Sequence, residues 1–160
     1  QSTHSFTNLE ETIKHLEMYI SIEQIRFENF IYSINIDKTI VPSEINLPPM
    51  LLQPLVENSI WHGLQPLSGE KILNLSFIKK GYELYCIIED NGIGINKSLE
   101  NRQQVKNHHS IAVDNIKKRI VLLNEKFLLS YKLEIADKSN LEGYKGSGTV
   151  VTLVIPLDKE

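Results

Sequence analysis

The segment Ile87-Ile88-Glu89-Asp90-Asn91-Gly92-Ile93-Gly94-Ile95 joins an apolar, β-branched run to a carboxylate and two closely spaced glycines. Such a run predicts a buried strand that ends near Asp90 and holds its side chain at the mouth of a pocket. Gly92 and Gly94 would leave room for a ligand against the backbone. A buried carboxylate needs a donor, and adenine offers its exocyclic amine where guanine presents an acceptor oxygen. The segment alone also fits an ordinary strand followed by a glycine turn, so the choice between this and a nucleotide site depends on the other motifs of the chain.

Size and composition fit one compact globular domain. The chain has 160 residues, of which 41% are hydrophobic and 23% charged, with a net charge of −3. This balance gives no general reason to expect nucleic acid or an acidic membrane surface as a partner. Cys86 is the only cysteine, which excludes a disulfide framework and predicts a reducing compartment. No apolar run reaches the ~20 residues of a membrane span. The missing initial methionine predicts a piece of a longer protein.

Hydrophobic periodicity predicts three helices. The first, residues 8–26, follows the capping box Thr7-Asn8-Leu9-Glu10. The second opens at Met50, tolerates Pro54 near its first turn and stops at Gly63. The third covers residues 111–128. The apolar residues expected to face the core are Leu9, Ile13, Leu16 and Ile20 in the first helix, Leu51, Leu55 and Ile60 in the second, and Val113, Ile116, Ile120, Leu123 and Phe127 in the third.

Alternating patterns predict strands between these helices. They cover residues 30–36, 73–77, 82–89, 132–136 and 149–157, and the second and third form a hairpin. Residues 96–110 are polar and almost aperiodic, which is typical of a functional lid or a disordered segment. The mixture of hairpins and helices predicts an α+β two-layer sandwich.

Four motifs follow one another along the chain. They are Glu57-Asn58-Ser59-Ile60-Trp61-His62-Gly63, Asp90-Asn91-Gly92-Ile93-Gly94, Ser110-Ile111-Ala112-Val113 and Gly146-Ser147-Gly148-Thr149. Their order and spacing resemble the N, G1, G2 and G3 boxes of the GHKL superfamily. The proline-rich stretch of residues 47–58 and the first helix are similar to the LytS/YehU-type sensor histidine kinases.

The resemblance implies the Bergerat fold, a mixed and mostly antiparallel sheet with helices on one face. It divides the chain into residues 1–28, a helix leading out of an upstream dimerisation and phosphoacceptor region, and residues 29–160, the ATP-binding catalytic domain. It also implies ATP and Mg²⁺ as cofactors. Asn58 would be the magnesium ligand, since an amide oxygen is hard and neutral.

Further site residues are implied by the same resemblance. Glu57 and His62 would join Asn58 in the catalytic group, although His62 could instead cap or pack at the end of its helix. Asp90 would bind the adenine amine, and Thr149 would orient Asp90 or the base. The other nucleotide-binding residues would be Gly92, Gly94, Gly146, Gly148, Asn115 and Arg119. Arg119 suits a phosphate oxygen, or it belongs to a solvated face with Lys117 and Lys118.

Two motifs depart from the family pattern, at three positions. Ser110 and Ala112 replace the glycines that let phosphate approach the positive end of a helix. Trp61 stands where many members have a lysine that reaches phosphate, and we expect this tryptophan to pack under the lid or against the base. Both departures could weaken the binding of ATP.

The function implied is the ATP-binding catalytic domain of a two-component sensor histidine kinase. Phosphoryl transfer is mainly positioning and charge neutralisation. None of the five histidines has the family's phosphoacceptor context, so this chain alone would not phosphorylate itself. The acceptor histidine would lie in an upstream domain of the same or a partner chain. The resemblance further implies a response regulator as partner, a homodimer at full length, and a cytoplasmic domain anchored in the bacterial inner membrane only through the N-terminal part.

Three other functions have to be compared with this one. A GHKL-type ATPase would need a water-activating glutamate four residues before Asn58, where this chain has Pro54. An anti-sigma serine kinase fits neither the first helix nor the proline pattern. A degenerate module that binds nucleotide or a partner protein without catalysis is favoured by the altered lid and by Trp61.

Overall fold

The structure, a computed structural model, describes residues 6–95, 97 and 108–158, with the backbone alone for residues 108–112. The predicted lid, residues 96–110, lies outside the described residues except for position 97 and the helical backbone of 108–110. The elements are β1 (Thr7–Asn8), α1 (Leu9–Arg26), β2 (Phe30–Ile36), β3 (Asn46–Leu47), α2 (Gln53–Asn58), a π-helical turn (Ser59–Leu64), β4 (Lys71–Lys80), β5 (Glu83–Asp90), α3 (His108–Phe127), β6 (Lys132–Asp137) and β7 (Thr149–Pro156).

A five-stranded mixed sheet forms one layer of the domain. Its strand order is β2-β4-β5-β7-β6, in which β2 and β4 are parallel and the other neighbours antiparallel. The β4–β5 hairpin confirms the prediction from residues 73–89. β1 and β3 form a separate antiparallel pair that the sequence did not reveal, because two-residue strands carry no periodic signal.

Helices cover one face of this sheet, and the α+β sandwich predicted from the sequence is thereby confirmed. The residues predicted to face inward from α1 are all buried, and they share one hydrophobic cluster with α2 and the sheet. Asn8, rather than Thr7, caps α1, since its Oδ1 accepts a hydrogen bond of 2.8 Å from the N–H of Glu11. The N-cap of the first helix therefore lies one residue later than predicted.

The region after residue 50 differs most from its prediction. Met50 has a φ of 59°, which a regular helix excludes, so α2 begins at Gln53. Pro54 lies in the first turn as expected. Gly63 does not stop the helix, which widens after Asn58 into the π-helical turn and continues to Leu64. The prediction for the end of α3 is also wrong in one respect, because Phe127 is 41% exposed and meets Phe6 instead of the core.

Cys86 lies in the middle of β5 and is buried, as the sequence predicts for a strand residue. Burial raises the pKa of its thiol far above the ordinary value, because the thiolate would lose its hydration there. Across the described residues, no helix is long and apolar enough to cross a membrane.

Candidate functional site

Asp90 ends the central strand β5 and lies under the helical layer. Its neighbours across the sheet are Leu73 on β4 and Thr149 on β7. Alternate residues of β5 are buried, and Asp90 continues the face formed by Leu84, Cys86 and Ile88. The side chain is only 1% exposed. The alternation that makes β5 a core strand thus places a carboxylate at the position where the next apolar residue would lie.

One carboxylate oxygen of Asp90 is satisfied by the protein. Oδ1 accepts hydrogen bonds from the N–H groups of Gly92 at 2.9 Å and Thr149 at 3.3 Å. Burial nevertheless raises the pKa of Asp90 from 3.8 to about 6, although these two N–H groups, the hydroxyl of Ser59 and the charge of Lys138 favour the ionised form. Desolvation outweighs these groups, so the carboxylate lacks part of the hydrogen bonding that its charge requires.

Three buried polar atoms have no hydrogen-bond partner in the described part of the chain. They are Oδ1 of Asn58, Oγ of Ser59 and Oδ2 of Asp90. The Ser59 hydroxyl is close enough to Asp90 to favour its ionised form, but no hydrogen bond joins the two side chains. Unpaired buried polar atoms cost roughly 1–3 kcal/mol each, so three of them in one region indicate a ligand site. Ser59 was not among the predicted residues, and its only sequence signal was its position next to Asn58.

Gly63 and Gly92 bring the π-helical turn against the end of β5. The N–H of Ile93 donates to the carbonyl of Gly63 at 3.0 Å. A Cβ added to Gly92 would lie 2.2 Å from the carbonyl carbon of Gly63, and one added to Gly63 would lie 3.0 Å from Oδ1 of Asp90. We expected the missing side chain of Gly92 to leave room for a ligand. The backbone of Gly63 occupies that room instead.

The turn before β7 is joined to the same place. Gly148 has a φ of +136°, and an added Cβ would lie 2.0 Å from the carbonyl oxygen of Asp90. Gly146 has a φ of +80°, but its Cβ direction is open. The Oγ of Ser147 donates to the carbonyl of Gly92 at 2.6 Å, so the turn carrying Gly146 and Gly148 is fixed to the Asp90 turn from both sides.

Gly94 and Asn91 also have local structural roles. A Cβ on Gly94 would lie 2.6 Å from Oδ2 of the buried Asp137. Asn91 accepts from the N–H of Ile72 at 2.7 Å and donates to the carbonyl of Glu70 at 2.9 Å, which holds the start of β4. The side chain of Asn91, between Asp90 and Gly92, therefore faces the start of β4.

The remaining predicted residues lie on α2, on the π-helical turn and on α3. Glu57 accepts a hydrogen bond of 3.1 Å from Gln53 one turn earlier. His62 is half-buried in the π-helical turn, and Asn115 is exposed on α3. The structure thus brings Asp90, Gly92, Gly148 and Thr149 together, with Ser59 beside Asp90, whereas the roles predicted for Asn58, Glu57 and His62 stay predictions.

Arg119 joins α3 to the proline-rich loop before α2. Its two terminal nitrogens donate to the carbonyls of Met50 at 2.8 Å and Pro49 at 2.5 Å. This explains in part how Met50 is held in its left-handed conformation. Each of these nitrogens carries a second N–H, so a phosphate role for Arg119 stays a prediction.

Trp61 packs against the end of α1, and the lid under which we expect it to lie falls outside the described residues. Its ring meets Phe27 edge to face, with centroids 5.6 Å apart, and the guanidinium of Arg26 lies 5.3 Å from its centroid. The indole therefore points from the π-helical turn toward the end of α1.

The fold is found in solved histidine kinases. The catalytic domain of histidine kinase ThkA matches with a TM-score of 0.62 at 15% sequence identity, over 97% of this chain and 96% of that one. The mixed sheet and the covering helices thus form the same fold as that catalytic domain.

Proteins with similar sequences show to which family the chain belongs. Sensor protein LytS of Oceanobacillus iheyensis is 33% identical over 130 residues, which are 76% of this chain and 22% of the relative. Sensor protein kinase HptS of Staphylococcus aureus is 30% identical over 163 residues, covering 98% of this chain and 29% of the relative. No family model matches the chain. The chain belongs to the sensor histidine kinases, as its motifs predicted, and spans between 22% and 29% of the length of these relatives.

Proposed function

We propose that this chain binds ATP and Mg²⁺ and serves as the catalytic domain of a two-component sensor histidine kinase. It would position the nucleotide for transfer of the γ-phosphoryl group to a histidine outside these residues. The observation that carries the proposal is the group of unpartnered buried oxygens on Asn58, Ser59 and Asp90. Catalytic domains of histidine kinases generally use ATP and Mg²⁺, and these oxygens suit both.

Asp90 supports adenine as the base. Its Oδ2 is buried and lacks a donor among the described residues, and the exocyclic amine of adenine would supply one. The fixed backbone around Oδ1 holds the carboxylate in place before a nucleotide arrives, so little reorganisation is needed on binding. Guanine would present an oxygen to this carboxylate and would be rejected.

Asn58 supports Mg²⁺ in the same region. Its Oδ1 is buried without a partner in the described chain, and it lies one residue before Ser59, which faces Asp90. Magnesium keeps several waters and takes few protein ligands, so one amide oxygen beside the phosphates fits its coordination. When bound, the ion would neutralise charge on the phosphate oxygens.

The partners proposed for the whole protein lie outside this chain. They are an upstream domain that carries the phosphoacceptor histidine and precedes α1, and a response regulator. We further propose a cytoplasmic location, an anchor in the inner membrane through the N-terminal part, and a homodimer at full length. The small share of LytS and HptS that this chain covers supports such additional regions.

Isothermal titration calorimetry with ATP and GTP tests the proposed function. With Mg²⁺ present, we expect ATP to bind at least about tenfold more tightly than GTP, because a hydrogen bond to a charged group contributes roughly 1.5–3 kcal/mol. The ATP analogue that cannot be hydrolysed should bind equally well. If neither nucleotide binds, with or without Mg²⁺, the alternative of a degenerate module that binds a partner protein gains support.

Replacing Asn58 with alanine tests the binding of Mg²⁺ separately from the recognition of the adenine base. Asn58→Ala should lower ATP affinity in the presence of Mg²⁺ to the level that the parent protein shows without the ion. Without Mg²⁺, the two proteins should bind ATP within about twofold of each other, since Asn58 would not contact the base. Calorimetry at a saturating and at a zero concentration of Mg²⁺ gives both values. Asn35→Ala, at an exposed asparagine of β2, is the matched control. A full magnesium effect in Asn58→Ala would show that the ion is held elsewhere.

A further inference from the structure

The C-terminal end of α1 contacts the outer side of the π-helical turn through one aromatic pair. Phe27, the capping residue of α1, meets Trp61 edge to face at 5.6 Å between ring centroids. Arg26 places its guanidinium 5.3 Å from the centroid of the same indole. Trp61 lies three residues after Asn58 and two before Gly63, so α1 touches the segment that forms one wall of the nucleotide site.

A buried carboxylate holds this contact in place. Glu23 is 3% exposed, accepts a hydrogen bond of 3.0 Å from the hydroxyl of Tyr19, and pairs with Nε of Arg26 at 3.3 Å. Burial raises the pKa of the Tyr19 phenol above its ordinary value, the nearby indole of Trp61 opposes this increase in part, and the hydrogen bond to Glu23 adds to it. A buried charge is costly unless it is paired, so Glu23 keeps Tyr19 and Arg26 beside the indole.

The inner side of the π-helical turn touches the site itself. The carbonyl of Gly63 accepts from Ile93, and the Cα of Gly63 is so close to Asp90 that an added methyl would lie 3.0 Å from Oδ1. A shift of the turn by a few tenths of an ångström would therefore disturb Asp90 and Gly92. π-helical turns are rare and often occur at functional sites, where contacts on both sides hold their wider geometry.

From this arrangement we infer that Phe27, Arg26 and Trp61 are positioning residues, through which the end of α1 regulates the nucleotide affinity of the site. The inference rests on the proposed function, since it concerns the same site. Each contact in the series is direct, from α1 to Trp61, along two residues to Gly63, and from Gly63 to Asp90. Coupling is reciprocal, so bound nucleotide must also change the environment of Trp61.

Two matched aromatic pairs allow a controlled test. Phe27→Ala removes the edge-to-face partner of Trp61, and Phe127→Ala removes the comparable partner of Phe6, whose centroid is 5.3 Å away. By calorimetry we expect Phe27→Ala to weaken ATP binding about fivefold or more and Phe127→Ala to change it less than twofold. Phe27→Tyr, which keeps the ring, should restore the affinity of the parent protein. If Phe27→Ala does not fold, Arg26→Met takes its place, because that side chain is 60% exposed.

Tryptophan fluorescence supplies a readout that a purely structural role would not affect. Trp61 is the only tryptophan, so saturating ATP should shift its emission in the parent protein, and the same concentration should not do so in Asp90→Asn. Emission that stays constant while calorimetry records ATP binding would overturn the inference. Parental affinity in Phe27→Ala would overturn it too, and in both cases the proposed function would survive. A parent protein that binds no ATP would instead overturn the proposed function and the inference together.

Discussion

Asp90→Asn is expected to weaken ATP binding by roughly 10- to 100-fold, which is the worth of one hydrogen bond to a charged group in a buried site. The substitution preserves shape. The oxygen of asparagine can still accept from Gly92 and Thr149, but an N–H group replaces the unpartnered Oδ2 and would face the amine of adenine donor to donor. Calorimetry with ATP measures the loss, and Asp158→Asn, at an exposed carboxylate, is the control. Parental affinity in Asp90→Asn would show that the base lies elsewhere.

The same variant should be more stable than the parent protein when nucleotide is absent. A folded-state pKa of about 6 lies above the ordinary 3.8, so the fold favours the protonated carboxyl. The penalty for ionisation is complete above about pH 6 and disappears toward pH 4. This penalty amounts to roughly 3 kcal/mol, because the pKa of Asp90 is about two higher in the folded than in the unfolded protein. Urea unfolding at pH 7.5 should therefore show Asp90→Asn as the more stable protein, and the difference should shrink as the pH falls from 6 to 4. An equal difference at both ends of that range would exclude Asp90 as its source.

Gly148→Ala is expected to reduce the free energy of unfolding by at least about 3 kcal/mol. The added Cβ would lie 2.0 Å from the carbonyl oxygen of Asp90, which is backbone in the central strand and cannot move aside cheaply. The φ of +136° adds strain of its own for any residue with a side chain. Urea or thermal unfolding would measure the loss, and a large part of the protein should be insoluble on expression.

Gly146→Ala is the matched control for this substitution. Gly146 also has a positive φ, of +80°, but an added Cβ would meet nothing within 4 Å. We expect Gly146→Ala to reduce the free energy of unfolding by about 1–2 kcal/mol, which is the cost of placing a side chain on a left-handed backbone. The difference between the two alanine variants isolates the contact with β5. Similar losses in both would mean that the strand can shift and that the close approach of Gly148 is not needed.

Much of the fold and part of the site could be predicted because they depend on local patterns. The alternation in residues 82–89 makes one face of β5 apolar, and the first charged residue on that face has to be Asp90. Likewise, the spacing of Leu9, Ile13, Leu16 and Ile20 determines which side of α1 faces the sheet. Such features follow from residues close together in the chain, so a single sequence contains them.

Features that depend on contacts between distant segments could not be predicted in this way. The π-helical turn after α2 packs against Gly92, which has no Cβ to collide with the backbone of Gly63, almost thirty residues earlier in the chain. The direction of Trp61 depends on Phe27, and the partners of Arg119 are two carbonyls about seventy residues away. In each case the residue type was compatible with several partners, and only the packing of the whole domain selects one.

The position of Cys86 has a practical consequence for spectroscopy. The only thiol of the chain, on Cys86, is buried in the central strand, and burial disfavours its ionisation to the reactive thiolate. Maleimide and other electrophilic probes should therefore leave it unmodified in the folded protein. A cysteine introduced at a chosen surface position can then carry a dye or spin label without first removing the native one. Distances from such a label to the indole of Trp61 could be followed in the otherwise unaltered domain.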